Sequence, residues 1–287
     1  MPQISMEFRL NTHGKGKLST LTCISTERGQ EVASVIIKGK TECILVDTQW
    51  TLANALRVTA EIMETGLDLV AIYTTHAHPD HYFGTAHIAE YFPQAKLYAL
   101  PEVARVINNQ FYDKMDYWGP KIGKNNICTK TCKFEDLPPE NCLYLDGERI
   151  EIHSGFMGDL KYNSVVYIPS IKTIIGSDVV FNQAHMFTCE ITAEGRRDWY
   201  NDIERLRGLD ADVIIPGHAR PGMPFDDSAY DFTQQYLLAT EEAINTTTSA
   251  GDYFYYIRTR FPNANYDGSN EMNAEVYKGG RVWDWEE

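Results

Sequence analysis

Positive charge is scarce in this sequence. Over 287 residues, 26 lysines and arginines face 40 aspartates and glutamates, a formal net charge of −14. A surface of that sign repels phosphate backbones, so nucleic acid is not an expected partner. No apolar run approaches the roughly 20 residues that span a bilayer, which removes any membrane expectation. The opening Met1-Pro2-Gln3-Ile4-Ser5-Met6-Glu7 lacks a basic segment followed by an apolar stretch, so the expected location is the cytoplasm. Cys23, Cys43, Cys128, Cys132, Cys142 and Cys189 are scattered rather than packed into a disulfide framework. Cys128, Cys132 and Cys142 lack a fourth zinc-type ligand at suitable spacing, and free thiols are expected. Linkers rich in serine and glycine, repeats and low-complexity tracts are also missing.

What is present is a globular composition, 43% apolar and 23% charged. Val35-Ile36-Ile37 and Glu42 to Asp47 have the β-branched content of buried strands. Thr51 stands before a helical stripe of Leu52, Leu56, Thr59 and Met63 that stops at Gly66. A strand is expected over 69–75, helices over 85–92 and 101–116, and a short strand over 96–100 between them. Residues 118–142 hold Gly119-Pro120, Gly123 and Pro138-Pro139 and read as a long loop flanking a site. Strands are expected again at 143–145, 149–153, 164–168, 172–176 and 212–215. Trp199, Ile203 and Leu206 mark a helix, and another is expected over 228–248. Two β-rich halves, each followed by helices, predict an α+β sandwich with sheets inside and helices outside.

The chemistry concentrates in Thr75-His76-Ala77-His78-Pro79-Asp80-His81. Strand alternation would point His76 and His78 the same way, and the turn imposed by Pro79 would swing Asp80 and His81 to a second position. Imidazoles and carboxylates of this kind suit zinc, iron or manganese. Two further strand ends offer ligands, Asp178 after Ile174-Ile175-Gly176-Ser177 and His218 after Pro216-Gly217.

With Leu45-Val46-Asp47-Thr48, the histidine cluster, Gly176-Ser177-Asp178 and Pro216-Gly217-His218 in that order, the chain resembles the metallo-β-lactamase superfamily over about residues 20–225. The resemblance implies a four-layer αββα sandwich in residues 1–225, with 226–287 as a helical and aromatic extension packed on it. It implies a dinuclear site between the sheets: His76 and His78 in site 1, Asp80, His81 and His218 in site 2, and Asp178 bridging. Asp47 matches a supporting position that binds no metal. The family's third site-1 histidine is missing. Alignment puts Gly158-Asp159 in its turn, so Asp159 is expected as the ligand ahead of His153, which falls in a strand.

Two divalent ions are therefore expected, zinc first, with manganese or iron favoured by the extra oxygen ligand. The implied activity is hydrolysis by a hydroxide held between the metals, with Asp80 orienting it; His185, seven residues after Asp178, is either a donor over the site or a surface-loop histidine. Tyr82 and Trp118 are candidates for the pocket wall, whereas His13, His87 and His153 receive no role. The expected partner is a small neutral molecule (a lactone, lactam or ester), with a glyoxalase-II-like thioester hydrolase and a non-hydrolytic iron redox or metal-binding protein as alternatives. The aromatic tail would cap the pocket or join copies into a homo-oligomer.

Overall fold

The structure, a computed structural model, describes residues 6–12, 16–283 and 285, so His13 lies outside the described residues. The first half runs β1 (Glu7–Asn11), β2 (Ser19–Ile24), β3 (Ala33–Lys38), β4 (Glu42–Val46), α1 (Leu52–Thr65) and β5 (Asp68–Thr74). It continues through α2 (Pro79–Tyr82), α3 (Thr85–Ala89), β6 (Lys96–Ala99) and α4 (Pro101–Ile122). The second half comprises β7 (Cys142–Leu145), β8 (Glu148–Phe156), β9 (Asn163–Ile168), β10 (Thr173–Asn182), α5 (Ala193–Arg207) and β11 (Val213–Ala219). Helices α6 (Ser228–Thr246), α7 (Ala250–Arg260) and α8 (Asp267–Lys278) follow.

The strands form two sheets, ordered β1-β2-β3-β4-β5-β6 and β11-β10-β9-β8-β7. Val35, Ile37, Ile44, Val46 and Tyr73 from the first pack against Ile150, Val166, Ile168, Ile175 and Ile215 from the second. Each buried aliphatic side chain there contributes roughly 1.5–3 kcal/mol. The outer face of the first sheet is covered by α1 and α3, and that of the second by α5 and α6 with α7 and α8 behind them. This is the αββα sandwich expected from the sequence.

Within the first sheet β4, β5 and β6 run parallel, and in the second β10 runs parallel to β11. Their carboxyl ends therefore emerge at one edge of the sandwich, and the chemistry-bearing residues collect there.

Several elements differ from the sequence reading. In α1 the buried face is Ala55, Val58, Thr59 and Ile62, while Leu56 and Met63 are 40% and 50% exposed. The packing sheet lies one residue around the helix from the most apolar stripe. Thr51 caps that helix, accepting from the Asn54 N–H, and Gly66 ends it at φ 68°. Helix α4 continues through Gly119 and Pro120 to Gly123, so the long loop begins five residues later than expected. Strand β10 extends past Gly176 to Asn182, with shifts of register around Ser177. All six cysteines are free.

Candidate metal centre

Strand β5 ends at Thr74, so His76 and His78 stand in the loop beyond it and strand alternation does not orient them. Pro79 starts α2, a single helical turn that carries Asp80 and His81. Asp178 is not at a strand terminus but inside β10, where Ser177 sits at φ 45° and breaks the register with β11. That irregularity turns Asp178 into the gap between the sheets. His218 lies within β11 next to Gly217, where an added Cβ would come within 2.2 Å of Asp178 Oδ1. Gly158 is equally confined, since an added Cβ there would come within 2.6 Å of the Asp178 carbonyl, and this close approach brings Asp159 beside Asp178.

The result is two adjoining buried groups of metal-type donors. His76, His78, Asp159 and Asp178 form one, and Asp80, His81 and His218 the other. Asp178 faces both, with Oδ2 at 3.6 Å from His76 Nε2 and 3.2 Å from His218 Nε2, and Oδ1 at 3.1 Å from His81 Nε2. Asp80 Oδ2 stands 3.2 Å from His218 Nε2. His153 is elsewhere: it lies on β8, 2.8 Å from Glu151 and about a third exposed. The geometry thus gathers Asp159 and leaves His153 out.

Outer hydrogen bonds set how each imidazole is turned. His76 Nδ1 meets Thr75 Oγ1 at 3.0 Å, His81 Nδ1 donates to Asp47 at 2.8 Å, and His218 Nδ1 donates to the Gln30 carbonyl at 2.6 Å. In each case Nε2 is left facing the cluster. Asp47 also accepts from the Thr75 N–H and hydroxyl, both at 2.9 Å, so it supports the site from behind as expected. His78 is reversed: Nδ1 faces Asp159 at 2.8 Å and Nε2 faces Glu190 at 3.1 Å.

The charges need an additional cation. Burial pushes the Asp159 carboxyl up to about 7, with His78 pulling against it and Asp178 adding to the rise. Burial also penalises Asp178, yet His218, His81 and His76 hold it well below the usual carboxylate range. Burial opposes charge on His78 and His218, but Asp159 and Glu190 hold the first near 10 and Asp178 and Asp80 hold the second near 10. Imidazoles held charged and a carboxyl pushed up in this way are donors at which protons compete with a metal cation. His76 Nε2, Asp159 Oδ1 and Asp178 Oδ1 are buried without a hydrogen-bond partner, aimed into the same small volume. Orphaned nitrogen and oxygen donors at this spacing fit metal ions, whose entry would displace those protons.

A cleft of about 610 Å³, open solvent included, leads to the cluster. Trp50, Trp118, Phe187, Trp283 and Lys114 line it, as do His185, Tyr266 and Ser269. His185 is buried, with Nδ1 at 3.1 Å from the Tyr236 hydroxyl and Nε2 at 3.4 Å from Asp267 Oδ1. Trp118 lines the cleft as expected, but Tyr82 packs against Phe83 and Phe111 in the α4 core. His87 accepts from the Thr129 N–H at 3.3 Å, a local structural bond. Among the described residues no helix is long and apolar enough to cross a membrane.

The sequence reading missed Glu190, Lys114, Phe187 and Tyr266. None lies near a recognisable motif, and only the fold brings them to the cleft.

The metallo-β-lactamase superfamily profile matches residues 28–148, the segment that contains the histidine cluster. Among solved structures, a metallo-β-lactamase from Pontibacter korlensis superposes with a TM-score of 0.60 at 18% identity, covering 81% of this chain and 99% of that one. The metallo-β-lactamase FIM-1 from Pseudomonas aeruginosa in its mono-zinc form gives 0.56 at 17% identity, covering 83% and 97%. The DIM-1 metallo-β-lactamase exposed to ceftazidime gives 0.59 at 18% identity, covering 82% and 99%.

Proposed function

From the match of residues 28–148 to the metallo-β-lactamase superfamily and the likeness of the fold to metallo-β-lactamases, we propose that this chain is a dinuclear metal-dependent hydrolase cleaving a carbonyl C–N or C–O bond of a small neutral molecule. A lactone, lactam or ester has the required chemistry. The observation that carries this reading is the pair of buried donor groups that meet at Asp178. His76, His78 and Asp159 would hold one ion, Asp80, His81 and His218 the other, and Asp178 would touch both. Zinc suits the donor set, and manganese or iron would compete through the added carboxylate.

The metals, when bound, supply Lewis acidity toward a carbonyl oxygen and lower the pKa of water toward neutrality. The chain's own residues do the rest. Asp80, at the mouth of the cluster, accepts and returns a proton as the bond is broken. His185 lines the cleft and would turn Nε2 from Asp267 to the substrate. The walls of Trp50, Trp118, Phe187 and Trp283 exclude water and pack on an apolar group.

The aspartate at 159 makes the centre attract anionic substrates less strongly than a histidine there would, and a neutral substrate suffers no penalty. Two divalent ions against Asp80, Asp159 and Asp178 give 4 − 3 = +1, where a histidine at 159 would give 4 − 2 = +2. Lys114 is the one lysine or arginine among the residues lining the cleft, and Glu190 neutralises it at 3.7 Å. Arg258, a candidate for holding a glutathione carboxylate, is paired with Asp267.

The test is a panel of lactone, lactam, ester, thioester and phosphodiester substrates with zinc-, manganese- and iron-loaded protein. Turnover of the neutral carbonyl compounds, lost on chelation, is expected, and Asp159→His should shift preference toward anionic substrates. Preference for phosphodiesters, or oxygen consumption by the iron form without hydrolysis, would refute the proposal.

A further inference from the structure

His78 departs from the other clustered imidazoles. His76, His81 and His218 turn Nε2 inward and anchor Nδ1 to groups set close behind the cluster, namely Thr75, Asp47 and the Gln30 carbonyl. His78 turns Nδ1 inward and reaches outward with Nε2 to Glu190, a residue on the connection between β10 and α5. A carboxylate only accepts, so beside Asp159 and Glu190 both ring nitrogens donate, and Glu190 is the partner that would keep the proton on Nε2 were Nδ1 to give its own up to a metal ion.

Glu190 is itself fixed from two remote parts of the chain. Its Oε2 also accepts from Trp283 Nε1 at 2.8 Å, in the segment after α8. Its Oε1 faces Lys114 Nζ at 3.7 Å, a lysine on α4 that is 1% exposed and stands 4.5 Å from the ring of Trp285. A buried lysine and glutamate are costly to keep unless each holds the other. Here the pair sits directly behind one candidate ligand and behind none of the rest.

We propose that Glu190 is a positioning residue for site 1: it fixes the tautomer and orientation of His78, while Lys114 and Trp283 fix Glu190. The C-terminal segment and α4 thereby govern the affinity of one metal position and not of the other. This rests on the dinuclear reading above but concerns residues outside any ligand set.

Chelator-competition titrations with zinc would test it, read as separate dissociation constants for the two ions, beside thermal melts of each variant. The wild-type chain is expected to bind two equivalents. Glu190→Gln should weaken one of them about 10- to 100-fold and leave the other within about twofold. Trp283→Phe keeps the ring but loses the donor, and should weaken the same ion by a smaller factor. The proposal is overturned if Glu190→Gln binds both ions as the wild type does. It is equally overturned if both weaken together with a fall in melting temperature, since that marks a general structural role. Wild-type protein that binds no zinc would instead overturn the metal reading itself, so the two failures are distinguishable.

Discussion

Each of the clustered imidazoles commits one ring nitrogen outward, so the inner nitrogens converge without free rotation. A ligand lost from such a group leaves neighbours that cannot swing in to replace it. Asp159→Ala is therefore expected to reduce bound metal from two equivalents to one, measured by elemental analysis after gel filtration. His153→Ala should leave two. The reverse pattern would move the third ligand to β8. His185 supports a separate prediction. Burial, opposed by Asp267 and reinforced by Arg258, lowers its imidazole from 6.5 to about 4. Between those values the unfolded chain binds a proton that the folded chain does not, so the contribution of His185 to stability falls as pH drops from 6.5 toward 4. His185→Gln should flatten that slope by up to about 3 kcal/mol. Melting temperatures at pH 4.5 and 7 for both proteins would check it, and parallel curves would refute it.

At the scale of elements, the centre depends on two strand segments that approach more closely than side chains allow. Gly217 on β11 and Ser177-Asp178 on β10 leave no room for a methyl group, since a Cβ at 217 would meet Asp178 Oδ1 at 2.2 Å and the Ser177 backbone at 2.4 Å. Gly217→Ala must push β11 away from β10, carrying His218 from Asp178. Loss of bound metal and a destabilisation of about 2 kcal/mol or more are expected, measured by metal content and by chemical denaturation. An alanine variant that keeps its metal would show that the strands separate without cost. Helix α2 plays the complementary part. Its single turn is the reason Asp80 and His81 face a different position from His76 and His78.

For the whole molecule, the centre joins the sheets where apolar packing stops. The inter-sheet core ends near Tyr73 and Ser164, whose hydroxyls lie 2.6 Å apart, and beyond them the contacts are polar. Metal ions that bind only the folded chain stabilise it by mass action, by about 2.7 kcal/mol per site at a hundredfold excess over the dissociation constant. At roughly 2–4 °C per kcal/mol for a chain of this size, chelation should lower the melting temperature by at least about 5 °C. Re-added zinc should restore it. A melting curve indifferent to chelator would overturn the metal reading.

Local order in the chain was enough to specify much of this protein. The β-branched runs, the cap at Thr51 and the stop at Gly66 act over neighbouring residues, and so does the spacing of His76, His78, Asp80 and His81. Asp159 is legible only through the family resemblance, by alignment of the strand pair that leads to Asp178, and the packing sets it in the donor cluster. Other facts depended on which surfaces meet. The sequence could not say that α1 buries Ala55 and Ile62 rather than Leu56 and Met63, because a helix is oriented by the sheet it packs on. It could not place Asp178 inside a strand, because the shift at Ser177 arises from pairing with β11. Nor could it bring Lys114, Glu190 and Trp283 together, since they are separated by 76 and 93 residues and share no motif. Propensity and spacing act over a few residues, whereas the partners of a buried charge are chosen only when distant segments are packed against it.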